Sequence, residues 1–130
     1  MKSKRILLSP PHMGGTELTY IAQAFQDNWI APAGPHIDLF ENRLVDFLDK
    51  KSQVVALNSG TAAIHLGLQL LGVQKGYVVL CQSLTFIASV NPVLYLGATP
   101  VFIGSEKETW NLCPIALEEA ILNQLNKGIQ

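Results

Sequence analysis

The residues able to do chemistry concentrate in a few turns. Residues 57–63 read Leu-Asn-Ser-Gly-Thr-Ala-Ala and lead from a short β-branched run into a helical pattern. A strand that ends in small residues and turns into a helix leaves backbone N–H groups pointing outward at the helix's positive end. That arrangement suits an anion such as phosphate. Gly60 allows close backbone approach, and the hydroxyls of Ser59 and Thr61 can add hydrogen bonds. The plainer reading is an ordinary cap, with Ser59 or Thr61 as the N-cap residue. The turn is no P-loop, because no Gly-Lys-Ser/Thr follows, and it lacks the later glycines of the dinucleotide fingerprint. A second segment, Gln82 to Ser89, directly follows a short apolar run. Ligands of open parallel sheets sit beyond the carboxyl ends of strands, and an aromatic there, Phe86, can stack on a flat ring. The alternative makes Phe86 a core residue of the next helix. The third segment, Asn28-Trp29-Ile30-Ala31-Pro32, holds an aromatic in a restricted loop, which could equally be surface packed on the body.

The remaining polar residues carry less. His12 and His36 stand beside prolines, and His65 lies one turn into the helix after the small-residue turn. No two have metal-ligand spacing, so structural or solvated roles are expected. Cys81 and Cys113 sit in apolar contexts and read as buried thiols rather than a disulfide. No adjacent base would make Cys113 a nucleophile. Asp38, Glu41, Asp46 and Asp49 read as the wet face of a helix.

Positioning these turns requires alternating elements. After Pro10, Pro11, Gly14 and Gly15, a helix is expected over 16–28, with Leu18, Ile21, Ala22 and Phe25 on one face. The prolines and glycine of 29–35 interrupt it. A second helix follows, with Ile37, Phe40, Leu44, Phe47 and Leu48 at helical spacing. The period then shortens to give strands at 54–57, 78–81 and 99–103. Helices are expected over 61–71, closed by Gly72, over 85–95 despite Pro92, and from Pro114 to near Gly128. Strand–helix alternation of this kind builds a parallel sheet with right-handed crossovers. Three apolar strands want cover on both faces and further neighbours, so the sheet reads as unfinished.

Composition fits this class. The chain has 130 residues, 48% hydrophobic and 15% charged, with a formal net charge of −1. That balance gives no electrostatic reason for nucleic acid or an anionic membrane as partner. Ile6, Leu7 and Leu8 make too short an apolar run for a secretory leader, and no stretch approaches the ~20 residues that span a bilayer. A cytoplasmic protein is expected.

Taken in order, the segments LSPPHMGG at 8–15, NWIAPAGP at 28–35, NSGTAAIHL at 58–66, QSLTFIASVNP at 82–92, and PVF with ETWN at 100–111 resemble one family. They are similar to the N-terminal part of the DegT/StrS-type sugar-nucleotide aminotransferases, pyridoxal-phosphate enzymes of fold type I. LSPPHMGG and the Asn-Trp-Ile-Ala-Pro stretch most resemble the branch acting in bacillosamine and exopolysaccharide synthesis. The resemblance implies an α/β fold: the N-terminal part of the large domain, a mostly parallel sheet with flanking helices, truncated. Residues 1–36 would form an N-terminal helix and substrate-facing loop, and 37–130 a partial cofactor-binding domain. It further implies that Gly60, Thr61 and Ala62 hold the phosphate of pyridoxal phosphate and that Phe86 stacks on its ring. Asn28, Trp29, Ile30 and Ala31 would face the nucleotide-sugar, with Gly60 bordering it.

The implied reaction moves an amino group from L-glutamate to the 4-keto carbon of a UDP-linked 4-keto-6-deoxy-N-acetylhexosamine. Full-length relatives are implied to be homodimers. Two positions depart from the family pattern. Tyr77 stands where Gly-Asp is usual, and Gly104 stands where an aspartate commonly follows Val-Phe-Ile. The family's cofactor-holding lysine and the carboxylate at the ring nitrogen are expected beyond residue 130. The chain then reads as a fragment with no catalytic residue of its own. The rival expectation is a non-catalytic remnant that keeps only a phosphate-binding turn.

Overall fold

A computed structural model describes residues 5–128. They divide into two compact units, one ending at Ala56 and the other beginning at Leu57.

The first unit is helical. Helix α1 spans Glu17–Gln26. The backbone N–H groups of Glu17 itself, then Gly14 and Gly15, hold the Glu17 carboxyl below the usual carboxylate value. The helix ends where Asn28 takes a left-handed conformation at φ +55°. The Trp29 N–H then reaches back to the Ala24 carbonyl at 2.8 Å and Asn28 N–H to Phe25 at 3.2 Å, a Schellman ending. Helix α2, Pro35–Phe47, starts with proline at its first position, where no N–H is needed. Tyr20 meets His36 edge-on at 5.7 Å.

The resemblance puts a division after His36; helix α2 lies within the unit that ends at Ala56. Its contacts account for this. Besides the Tyr20–His36 pair, Glu41 accepts a hydrogen bond from the Ala56 N–H at 2.7 Å. Glu41, read as part of a wet helix face, is half-buried in doing so.

The expected strand at 54–57 does not form. Its burial alternates, with Val54 and Ala56 half-buried and Val55 and Leu57 exposed, which is strand-like period two. A strand also needs a paired neighbour, and among the described residues none lies alongside; Ala56 spends its N–H on Glu41 instead.

The second unit is α/β. Helix α3, Gly60–Leu70, ends at Gly72, whose φ of +79° and the bond from Val73 N–H to the Leu68 carbonyl at 3.0 Å make a second Schellman motif. Strand β1, Val78–Gln82, pairs in parallel with β2, Thr99–Ile103, from Val78 opposite Thr99 to Gln82 opposite Ile103. Between them the expected continuous helix over 85–95 breaks into a 3₁₀ turn, Ile87–Ser89, and a short helix α4, Asn91–Tyr95. Pro92 has no N–H to donate to Ala88, so it is accommodated only in the first turn of a new helix. Helix α5, Pro114–Asn126, closes the unit. The core is small: Val90, Pro92, Val93, Ala98 and Ile103. No described helix is long and apolar enough to cross a membrane.

Both departures from the family pattern act through the backbone. The Tyr77 carbonyl accepts from Thr99 N–H at 2.9 Å, extending the strand pair, and the Gly104 carbonyl accepts from Cys113 N–H at 2.9 Å. A side-chain carbon at Gly104 would meet nothing within 4 Å.

Candidate functional site

The start of α3 is where the small-residue turn becomes a donor array. Ser59 is the N-cap in extended conformation, and its hydroxyl accepts from Ala62 N–H at 3.2 Å. Its carbonyl accepts from Ala63 N–H at 3.1 Å. Of the two hydroxyls the sequence offered, Ser59 therefore caps the helix, and the Thr61 hydroxyl has no partner among the described residues. The N–H groups of Gly60 and Thr61 have no partner among the described residues. A Cβ at Gly60 would meet nothing within 4 Å, so space outside the turn is open. Unpaired donors at the positive end of a helix, with open approach, fit a phosphate group.

Phe86 lies four residues beyond the end of β1 and is 81% exposed. The reading that buries it in the next helix is overturned. It sits in extended backbone ahead of the 3₁₀ turn, which breaks the helical face that would have turned it inward. Helix α3 packs on that 3₁₀ turn and on α4. The segment carrying Phe86 and the helix offering free N–H groups thus belong to one packed body. A groove of about 240 Å³ runs between α3 and β1, lined by Ile64, Leu68, Val79 and Cys81 among others. Cys81 and Cys113 are free and half-buried rather than fully buried, and burial raises the Cys81 thiol above its ordinary value.

Asn28, Trp29, Ile30 and Ala31 lie in the first unit. The backbone of Asn28 and Trp29 terminates α1. The Trp29 ring lies over Gly34, where an added Cβ would come within 3.0 Å of Cε3. Trp29, Ala31, Gly34 and His36 line a hollow of about 40 Å³, room for little more than water. Of the three histidines, His36 and His65 make edge contacts to Tyr20 and Tyr95, and the described residues contain no metal-binding cluster.

Sequence reasoning missed the role of Gln82. Its Nε2 donates to the Trp110 carbonyl at 3.0 Å and to Ser105 Oγ at 3.4 Å. A polar residue closing an otherwise apolar strand was the available signal.

A model of the DegT/DnrJ/EryC1/StrS aminotransferase family matches residues 11–129. EpsN of Bacillus subtilis (strain 168), provisionally named a pyridoxal phosphate-dependent aminotransferase, is 55% identical over 96% of this chain and 32% of its own. The GDP-perosamine synthase of Escherichia coli O157:H7 is 36% identical over 93% of this chain and 33% of its own. Spr1654 of Streptococcus pneumoniae, provisionally named a sugar aminotransferase, has structures titled PMP-form and PLP-form. Each superimposes with a TM-score of 0.79 at 32% identity, over 90% of this chain and 29% of that one. The chain spans about a third of the length of these relatives.

Proposed function

Because the chain belongs to the DegT/DnrJ/EryC1/StrS aminotransferase family, we propose that it supplies the phosphate-holding and substrate-facing part of a pyridoxal-phosphate-dependent sugar-nucleotide aminotransferase. The observation that carries this is the start of α3, where the N–H groups of Gly60 and Thr61 have no partner among the described residues and the space beside Gly60 is open. Gly60, Thr61 and Ala62 would hold the cofactor phosphate, and the exposed ring of Phe86 would cover its pyridine face. When bound, the cofactor supplies the electron sink for amino-group transfer. Residues Asn28 to Ala31 would face the nucleotide-sugar, and two copies would pair as a homodimer.

The donor in this reading is L-glutamate and the acceptor a UDP-linked 4-keto-6-deoxy-N-acetylhexosamine, in a cytoplasmic step of surface polysaccharide synthesis. The LSPPHMGG segment supports this branch, and a Bacillus subtilis spore coat polysaccharide biosynthesis protein, 34% identical over 87% of this chain, supports a role in polysaccharide synthesis. The GDP-perosamine synthases among the relatives set the competing nucleotide. Amino transfer from L-glutamate by the aminotransferase that includes this part, assayed on UDP- and GDP-linked 4-keto sugars in parallel, decides the point; preference for the GDP sugar would replace the acceptor. In the same enzyme Thr61→Ala should weaken cofactor binding by about 1.5–3 kcal/mol, the value of a hydrogen bond to a charged group. Unchanged affinity would reduce the turn to a helix cap.

A second reading, a non-catalytic protein keeping only the phosphate turn, is favoured by one observation. Among the described residues every lysine (Lys50, Lys51, Lys75, Lys107 and Lys127) is exposed at a helix end or turn, where a solvated charge is sufficient explanation. Amino transfer in the assay above would exclude it.

A further inference from the structure

Gln82 ends β1 opposite Ile103, at the carboxyl edge of the parallel pair. Beyond β2 the chain folds back as a hairpin, with Ser105 bridged to Leu112, Glu106 N–H bonded to the Asn111 carbonyl at 2.9 Å, and Cys113 returning to Gly104. Trp110, at the tip, is a non-glycine residue in the left-handed region at φ +63°. Such a residue persists only where its surroundings hold it. Thr109 binds Glu106 and Asn111 on either side of it, and the Gln82 carboxamide reaches across both arms, one donor group meeting the Trp110 carbonyl and Ser105 Oγ. The next residue, Ser83, donates its N–H to the Ile103 carbonyl at 2.9 Å. From there the chain runs through three more residues to Phe86, where Thr85 Oγ1 meets Ser89 Oγ at 3.4 Å.

We propose that Gln82 is a positioning residue whose side chain pins the 105–112 hairpin across the end of β1 and so fixes the course of residues 83–86 that presents the Phe86 ring. This rests on the reading of Phe86 as the residue covering the cofactor, and it deepens that reading by naming what aims the ring.

The test uses Gln82→Leu, which keeps bulk but cannot donate, and Gln82→Lys, which restores a donor at similar reach. Gln82→Glu, with polarity but no donor, replaces Leu if that variant fails to fold. Amide exchange over 83–86 should quicken about fivefold in Gln82→Leu, as expected for loss of a bond of ordinary strength, and pyridoxal phosphate should bind about fivefold more weakly. The emission of Trp110, read in a Trp29→Phe background, should shift with it. Gln82→Lys should recover all three. Unchanged exchange and emission in Gln82→Leu would overturn the tether. Quickened exchange with unchanged cofactor affinity would overturn its positioning role. A Phe86→Ala chain that binds the cofactor as tightly as the native one would instead overturn the cofactor reading of Phe86, a failure that exchange reports separately.

Discussion

Gly34 shows how little room the loop after α1 has. Its φ is +156°, and a Cβ there would lie 3.0 Å from Trp29 Cε3 and 3.4 Å from Cδ2. Alanine at this position must push the indole outward. Overpacking costs ~1–3 kcal/mol in closed surroundings, and Trp29 is half-exposed and able to yield, so Gly34→Ala should lie near the lower bound. The expected result, read in a Trp110→Phe background, is a lower urea midpoint with a red-shifted Trp29 emission; an unmoved spectrum would show that the ring does not rest on Gly34. Glu17 is similarly local. Its carboxylate gathers the N–H groups of Gly14 and Gly15, a use that a glutamate beside two glycines does not announce in sequence.

At the scale of the element, α3 is bounded by two caps of different origin. Ser59 closes its start with a side chain, and Gly72 closes its end with a backbone conformation. An added Cβ at Gly72 meets nothing within 4 Å, so the cost of Gly72→Ala is all conformational. A non-glycine residue in the left-handed region costs ~1–2 kcal/mol, offset in part by the lower entropy of the unfolded alanine chain. Gly72→Ala should therefore lower stability by about 1 kcal/mol, and Gly72→Asn by less, because asparagine tolerates that region. Equal losses in denaturant titration for the two variants would point to a steric cause instead.

The described residues are poorly covered. Among the described residues the second unit's sheet has two strands, and an isolated pair of strands is marginal in water. Large apolar side chains remain exposed on most elements, with Leu70 at 80%, Leu71 at 79% and Phe102 at 54%. Unpaired strand edges are templates for pairing with another chain, and a net charge of −1 offers little repulsion against it. The 130-residue polypeptide should self-associate, rising in light scattering with concentration, and exchange its strand amides quickly when dilute. A monodisperse monomer with protected amides in both strands would show that two strands suffice.

Local rules carried much of the fold. Helix periodicity, proline at first turns and Gly72 at an end placed α1, α2, α3 and α5, and Thr99–Ile103 was legible as an apolar run between turns. The order of the small-residue turn, the aromatic after β1 and the Asn-Trp loop pointed to the family that the comparisons bear out. Tertiary structure decided what depends on distant partners. Residues 54–57 have strand composition but no strand beside them among the described residues, so they form no strand. The turn contains two hydroxyls of equal promise, and only backbone geometry at the start of α3 gives the cap to Ser59. Gln82 is joined to Trp110 across 28 residues of chain, a pairing no local pattern encodes. Caps and helical faces are set within a turn or two of sequence, whereas strand pairing and side-chain tethers exist only once the chain has closed on itself.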